Sequence, residues 1–247
     1  MIQYLKRRNR FVKQIRISGG VFLNIKWIFF DIGSTLVDET EAYDHRVIDM
    51  IKETNITFSA FDSKRIELAK EGLDGNSEAI KFFNLKKTPW HSEYEKPFDD
   101  ALEILELLKM RGYNLGVIAN QVMGASQRLE AWGMLKYFDV VASSAELGVA
   151  KPNKLIFEKA FELVGCQPEN SVMVGDRLDN DIIPAKSLGM KTVWIRKGLS
   201  LQQNIDLGIN VADWIIDNLS DLSNIFEWTN WNLTRCCYGY KEKNTRW

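Results

Sequence analysis

Cysteine is scarce in this chain, with three in 247 residues. Cys166, Cys236 and Cys237 have no regular spacing, which excludes a disulfide framework in a protein this long. Adjacent Cys236 and Cys237 lack the second Cys or His pair that a zinc site needs. Reduced thiols in the cytoplasm are the expectation, so sequons such as Asn55-Ile56-Thr57 carry no meaning for glycosylation. Long apolar runs are also missing. No stretch approaches the roughly 20 apolar residues of a membrane-spanning helix. The apolar stretch from Val21 to Ile25 is cut by Lys26, short of the roughly 7–15 residues of a secretory signal core. Net charge is nearly absent, at −1, so no general attraction to nucleic acid follows. Neither a nucleic-acid nor a membrane partner is expected, and the oligomeric state is left open.

The charge is unevenly placed. Residues 1–26 carry seven Lys or Arg and no acid, leaving 25 of the 32 basic residues against all 33 acidic ones. Residues 1–22 read as a disordered basic extension. Gly19-Gly20 is consistent with a translated ribosome-binding site, which would put the true start near Leu23. What is present is ordinary globular material, 45% hydrophobic and 26% charged, enough for one large domain or a core with an insertion.

From Trp27 onward, short apolar runs alternate with longer amphipathic ones. The spacing predicts strands at 27–31, 114–119, 138–142, 171–175, 191–196 and 213–216. Helices are predicted near 98–111, 124–134, 154–164, 181–188 and 219–226. In 98–111, Leu102, Ile104, Leu105 and Leu108 fall at helical spacing, and Gly112 supplies a stop. Such alternation implies an α/β fold with parallel strands and right-handed crossovers. Residues 39–96 break the pattern. They read as short helices at about 41–54, 61–72 and 76–84, punctuated by Gly72, Gly75, Pro89 and Pro97, and form an all-helical insertion over the sheet's C-terminal edge. The tail 229–247 shows no period and is expected to be poorly ordered.

Four polar features close four predicted strands. Asp31 follows Trp27-Ile28-Phe29-Phe30, and Asn120 follows Leu115-Gly116-Val117-Ile118-Ala119. Lys151-Pro152 lies in the loop after 138–142, and Gly175-Asp176-Arg177-Leu178-Asp179-Asn180-Asp181 ends 171–175. A parallel sheet puts all these ends on the edge where open α/β folds bind ligands. Each has a plain alternative: Asp31 as a helix cap or turn residue, Lys151 as a solvated lysine, and 176–181 as a helix start with Pro184 in its first turn. The 176–181 acids do not fit a calcium helix-loop-helix site, which needs a Gly at the sixth position. Together, Asp31, Asp176 and Asp181 bring three hard oxygen donors to one place, a set suited to Mg²⁺. Lys151 offsets the remaining charge and is placed to hold a phosphate.

These motifs, in this order, resemble the haloacid dehalogenase superfamily of aspartate-nucleophile hydrolases. The resemblance spans about Trp27 to Phe226. Its carriers are Phe30-Asp31-Ile32-Gly33-Ser34-Thr35-Leu36, Val117-Ile118-Ala119-Asn120, Lys151-Pro152, and Gly175-Asp176 through Asp181 to Ala185-Lys186-Ser187-Leu188-Gly189-Met190. It implies a Rossmann-like parallel-sheet core over 23–38 and 97–228, with the helical block 39–96 as an inserted cap. It implies a phosphatase acting on a small phosphorylated molecule. Asp31 would be the nucleophile that forms an aspartyl-phosphate. Asp31, the Gly33 carbonyl, Asp176 and Asp181 would be Mg²⁺ ligands, and Lys151 the neutralising cation. Amides of the turn after Asp31, with Ser34 and Asn120, would contact phosphate.

Two positions depart from the family pattern. Phosphatases of this type carry a second Asp two residues after the nucleophile, as acid and base, and here that position is Gly33. The Ser or Thr of the second motif is replaced by Ala119. True 2-haloacid dehalogenases also lack the second Asp, but they work without a metal and lack the Gly-Asp pair retained here at 175–176. A phosphate-binding or partner-binding role without turnover is the third reading. His91, among the insertion's aromatics, is a substitute acid only in outline, with an ordinary packing role beside it.

Overall fold

The structure, a computed structural model, describes residues 5–7, 10–14 and 25–226. Most of the basic extension 1–22, and all of the tail 229–247, lie outside the described residues. The strands, in chain order, are β1 (Leu5–Arg7), β2 (Arg10–Gln14), β3 (Trp27–Phe30), β4 (Val37–Asp38), β5 (Lys96–Pro97), β6 (Asn114–Ala119), β7 (Val140–Ser143), β8 (Ser171–Gly175), β9 (Lys191–Ile195) and β10 (Trp214–Ile216). The helices are α1 (Thr40–Ile51), α2 (Phe58–Lys70), α3 (Gly75–Phe82), α4 (Ala101–Met110), α5 (Ala125–Ala131), α6 (Ser144–Leu147), α7 (Leu155–Val164), α8 (Ile183–Ser187), α9 (Asp206–Ile209) and α10 (Leu222–Ile225).

The main sheet runs in the order β1-β2-β10-β9-β8-β3-β6-β7. From β10 to β7 every described pairing is parallel, while β2 joins β10 antiparallel. The fold is therefore the Rossmann-like α/β sheet anticipated from the strand–helix alternation, and β3 lies inside it between β8 and β6. Both faces of β3 are covered, as its unbroken apolar run requires. Ile28 and Phe30 join the core cluster with Leu105 and Leu108 of α4, and Phe29 joins the opposite one with Phe157 and Phe161 of α7. The two-residue period of the strand divides these side chains between the layers.

Helix α4 shows where periodicity alone misleads. Ala101, Ile104, Leu105 and Leu108 are buried, but Leu102 is 40% exposed. The stripe facing the sheet takes the small Ala101 in place of Leu102. Gly112 ends this helix at φ +89°, and the Tyr113 amide turns back to the Leu108 carbonyl, so the predicted stop works through a left-handed residue. Strand β7 begins two residues later than its apolar run, because Phe138 closes a 3₁₀ turn onto Leu135.

Gly116 in β6 is required by a close approach. A Cβ there would lie 2.6 Å from the Phe29 ring and 2.8 Å from Val140 Cγ1. Gly116→Ala is expected to cost about 1–3 kcal/mol by overpacking, measurable as a lower urea midpoint with an unchanged slope.

The helical insertion α1–α3 has its own small core of Val47, Met50, Phe61, Ala79 and Ile80. The chain enters it through β4 and leaves through β5, and these two strands pair antiparallel, Val37 with Pro97 and Asp38 with Lys96. No described helix is long and apolar enough to cross a membrane.

Candidate active site

The parallel register fixes the first carboxylate. Phe30 is opposite both Val174 and Val117, and the Asp31 amide donates to the Val174 carbonyl at 2.9 Å. Asp31 thus leaves the sheet beside Gly175 and Asp176. Gly175 must be glycine, because a Cβ there would overlap the side chain of Asp181. Beyond Asp176 the chain makes a wide π-type turn over Leu178–Ile182 before α8, a local widening common at functional sites. It folds Asp181 back, so that Asp181 Oδ2 accepts the Arg177 amide at 3.0 Å. Trp194, fully buried, donates its indole N–H to the Asp176 carbonyl at 2.8 Å and anchors the loop from below.

Lys151 is set by Asn120. The Lys151 amide donates to Asn120 Oδ1 at 2.8 Å, and Asn120 Nδ2 donates to the Lys151 carbonyl at 2.9 Å. Asn120, expected as a phosphate contact, lines the same cavity and also clamps the lysine's backbone. The Lys151 ammonium lies 2.6 Å from Asp31 Oδ1 and 2.6 Å from Asp181 Oδ1. Its side chain is 2% exposed. Burial opposes its charge, but Asp181 and Asp31 outweigh that and raise its pKa.

One lysine does not balance the acids. Carboxylate oxygens of Asp31, Asp176 and Asp181 lie within 4.8 Å of one another. Burial first, then Asp181 and Asp31, push Asp176 well above the ordinary carboxylate range. Burial raises Asp181 to about 6 against the pull of Lys151, with Asp31 adding to the rise. The Asp176 carboxylate accepts no hydrogen bond from the described residues. Clustered, buried, under-satisfied oxygens with one neighbouring cation fit a divalent ion of the hard class.

The turn after Asp31 is tight. Ser34 takes φ +52°, and its amide donates to the Val37 carbonyl at 2.8 Å, while Thr35 donates to Ile32. The amides of Ile32 and Gly33 have no backbone acceptor among the described residues. Ser34 itself faces the same cavity, of about 790 Å³, as Asp31, Gly33, Lys151, Asp176 and Asp181. Tyr43 and Arg65 line it from the insertion.

The insertion is tied to the site's rim. Arg177 Nη1 pairs with Asp74, the N-cap of α3, at 2.8 Å, while its other nitrogens hold Asp179. His91 is elsewhere: its ring nitrogens meet Asp49 at 2.7 Å and Glu93 at 3.0 Å, and it does not line the cavity. His45 stacks on Tyr94 with centroids 3.8 Å apart, and Tyr43 packs edge-on against Trp90.

Sequence reasoning missed Glu39. A Cβ on Gly33 would overlap the Glu39 carboxyl group. Glu39 lines the cavity, and burial first, then Asp31, push its pKa up to about 8. No spacing rule points to it; only the turn that brings Val37 back against Gly33 does.

The sequence profile described as "Haloacid dehalogenase-like hydrolase" matches residues 28–195. A glyceraldehyde 3-phosphate phosphatase of Pyrococcus furiosus is 30% identical over 83% of this chain and 95% of its own length. A protein of the same name from Methanothermobacter thermautotrophicus is 37% identical over 53% of this chain, and that match spans 58% of the relative. The crystal structure of a HAD phosphatase from Thermococcus onnurineus is 28% identical, with a TM-score of 0.58 over 83% of this chain and 99% of that one.

Proposed function

The chain belongs to the haloacid dehalogenase-like hydrolases and is an enzyme, and on that footing we propose that it is a Mg²⁺-dependent phosphatase for a small phosphorylated molecule. The observation that carries this reading is Lys151 shared at 2.6 Å between Asp31 and Asp181, with Asp176 beside them. The phosphatase names of its relatives support it.

Asp31 is the nucleophile. Its Oδ1 is held by Lys151, while Oδ2 accepts no hydrogen bond from the described residues and is the oxygen free to attack phosphorus. The P–O bond to the leaving group breaks as the aspartyl-phosphate forms, and water then cleaves that intermediate. Asp31, Asp176, Asp181 and the Gly33 carbonyl would hold Mg²⁺, which, when bound, neutralises phosphate charge. Lys151 stabilises the charge that builds on the transferring group. Ser34 and the free turn amides of Ile32 and Gly33 contact the phosphate oxygens. The helical insertion acts as the cap that selects the substrate.

A specific test is hydrolysis of p-nitrophenyl phosphate with and without Mg²⁺. Turnover that requires the ion, and that chelation removes, is the expected result. Mg²⁺-independent halide release from a 2-haloacid, the reading that Gly33 favours, would replace the phosphatase assignment.

A further inference from the structure

The missing acid–base group at position 33 leaves a gap, and the structure fills it. The chain turns back after Ser34 so that Val37 bridges to Gly33, and two residues later Glu39 opens helix α1 as its N-cap residue. Its carboxyl then occupies the space that a side chain on residue 33 would take. Resting on the phosphatase reading above, we propose that Glu39 is the acid–base carboxyl of this enzyme, supplied from the base of the cap in place of the absent residue-33 side chain.

Elimination among the cavity's other acids points the same way. Outside the Asp31, Asp176 and Asp181 cluster, Asp38 accepts the Thr40 amide, Asp62 holds Arg65, Asp74 and Asp179 hold Arg177, and Asp217 lies 3.7 Å from Arg196. Glu39 lines the same cavity, and its side chain makes no hydrogen bond or ion pair among the described residues. A carboxyl kept free at the nucleophile's side is available to the substrate.

The steps balance. As Asp31 bonds to phosphorus and the ester P–O bond breaks, the Glu39 carboxyl gives its proton to the departing oxygen. In the second step water gives a proton to the Glu39 carboxylate while its oxygen attacks phosphorus. The Asp31–phosphorus bond breaks, which regenerates the Asp31 carboxylate and the protonated Glu39 and releases inorganic phosphate.

The test uses the full chain, two esters and three variants. Glu39→Gln keeps shape and volume. It is expected to lower kcat on an alkyl phosphate, a poor leaving group, by about 10²–10⁴. On p-nitrophenyl phosphate, whose leaving group needs little protonation, the first step is expected to fall less than tenfold. Mg²⁺ affinity, measured by calorimetry, is expected to stay within about threefold, a split that a merely structural role would not give. Gly33→Asp alone collides with Glu39 and is expected to give no gain, whereas Gly33→Asp combined with Glu39→Ala restores alkyl-phosphate turnover. Three results would overturn the proposal alone: Glu39→Gln as fast as wild type on the alkyl ester, equal losses on both esters in the rate of phosphoryl transfer to Asp31 (the first step, read as the burst of released alcohol or phenol), or a lost Mg²⁺ affinity that makes Glu39 a metal ligand. Wild-type protein with no Asp31-dependent turnover of either ester would overturn the phosphatase reading, and the proposal with it.

Discussion

Asp31→Asn is expected to lower phosphate-ester turnover by a factor on the order of 10⁴ or more, the scale on which enzymes lose activity with their covalent nucleophile. The substitution is nearly isosteric. An Asn side-chain oxygen can still accept from Lys151, whose ammonium lies 2.6 Å from Oδ1 in the wild type. The strand is untouched, because Asp31 is fixed by its backbone amide on Val174. What is lost is the negative oxygen proposed to attack phosphorus, together with one donor of the acidic triad. The loss should therefore appear in kcat with a folded protein, and wild-type enzyme quenched in acid should carry a phosphoryl group that the variant lacks. Equal turnover by the two proteins would sink the covalent mechanism.

Lys151→Met is expected to have the largest effect on stability. The ammonium is the described cation in contact with both Asp31 and Asp181, at 2.6 Å from each, and both its own side chain and that of Asp181 are nearly sealed from solvent. Removing one partner of a buried ion pair typically costs about 3–5 kcal/mol, because the remaining charge is left uncompensated. The sign of the pH dependence follows. Asp181 already sits above its unfolded value, at about 6, and without Lys151 it rises further. A carboxyl raised in the folded state adds stability while protonated and loses it as pH rises through the window from its unfolded to its folded pKa. The variant should thus be most destabilised above neutrality and should recover in mild acid. Added Mg²⁺ should recover part of the loss at pH 8, because a divalent ion supplies the missing charge. Urea melts at pH 5 and 8, with and without the ion, check both points. A stability equal to wild type at pH 8 without the ion would refute the electrostatic account.

Much of this architecture is legible in the sequence because apolar runs end in polar residues at the sheet edge. Phe29-Phe30-Asp31 and Val174-Gly175-Asp176 each mark a strand and its exit in three letters, and parallel pairing does the rest. Leu102 sits at helical spacing as read, but spacing alone does not say which face is covered: the buried stripe is Ala101, Ile104, Leu105 and Leu108. The clamp between Asn120 and Lys151 was not legible. It joins residues 31 apart through the backbone of one and the side chain of the other. Glu39 was hidden for a similar reason. Its location depends on the Gly33–Val37 bridge and on the β4–β5 pair, which no periodicity encodes.

The paired strands β4 and β5 carry a consequence for divergence. They bring the insertion's entry and exit side by side, Asp38 next to Lys96, so both ends leave the core at one place, with the Arg177–Asp74 pair as a further tie between insertion and core. On the proposed reading, exchanging this one module would alter substrate choice while the carboxylates at the sheet edge stay in place. In this chain the splice point falls just before Glu39. A graft that begins at residue 39 would carry the Glu39 carboxyl away from the cavity with the insertion, whereas one that begins at residue 40 would keep it. Chimaeras cut on either side of that single peptide bond separate the two inheritances.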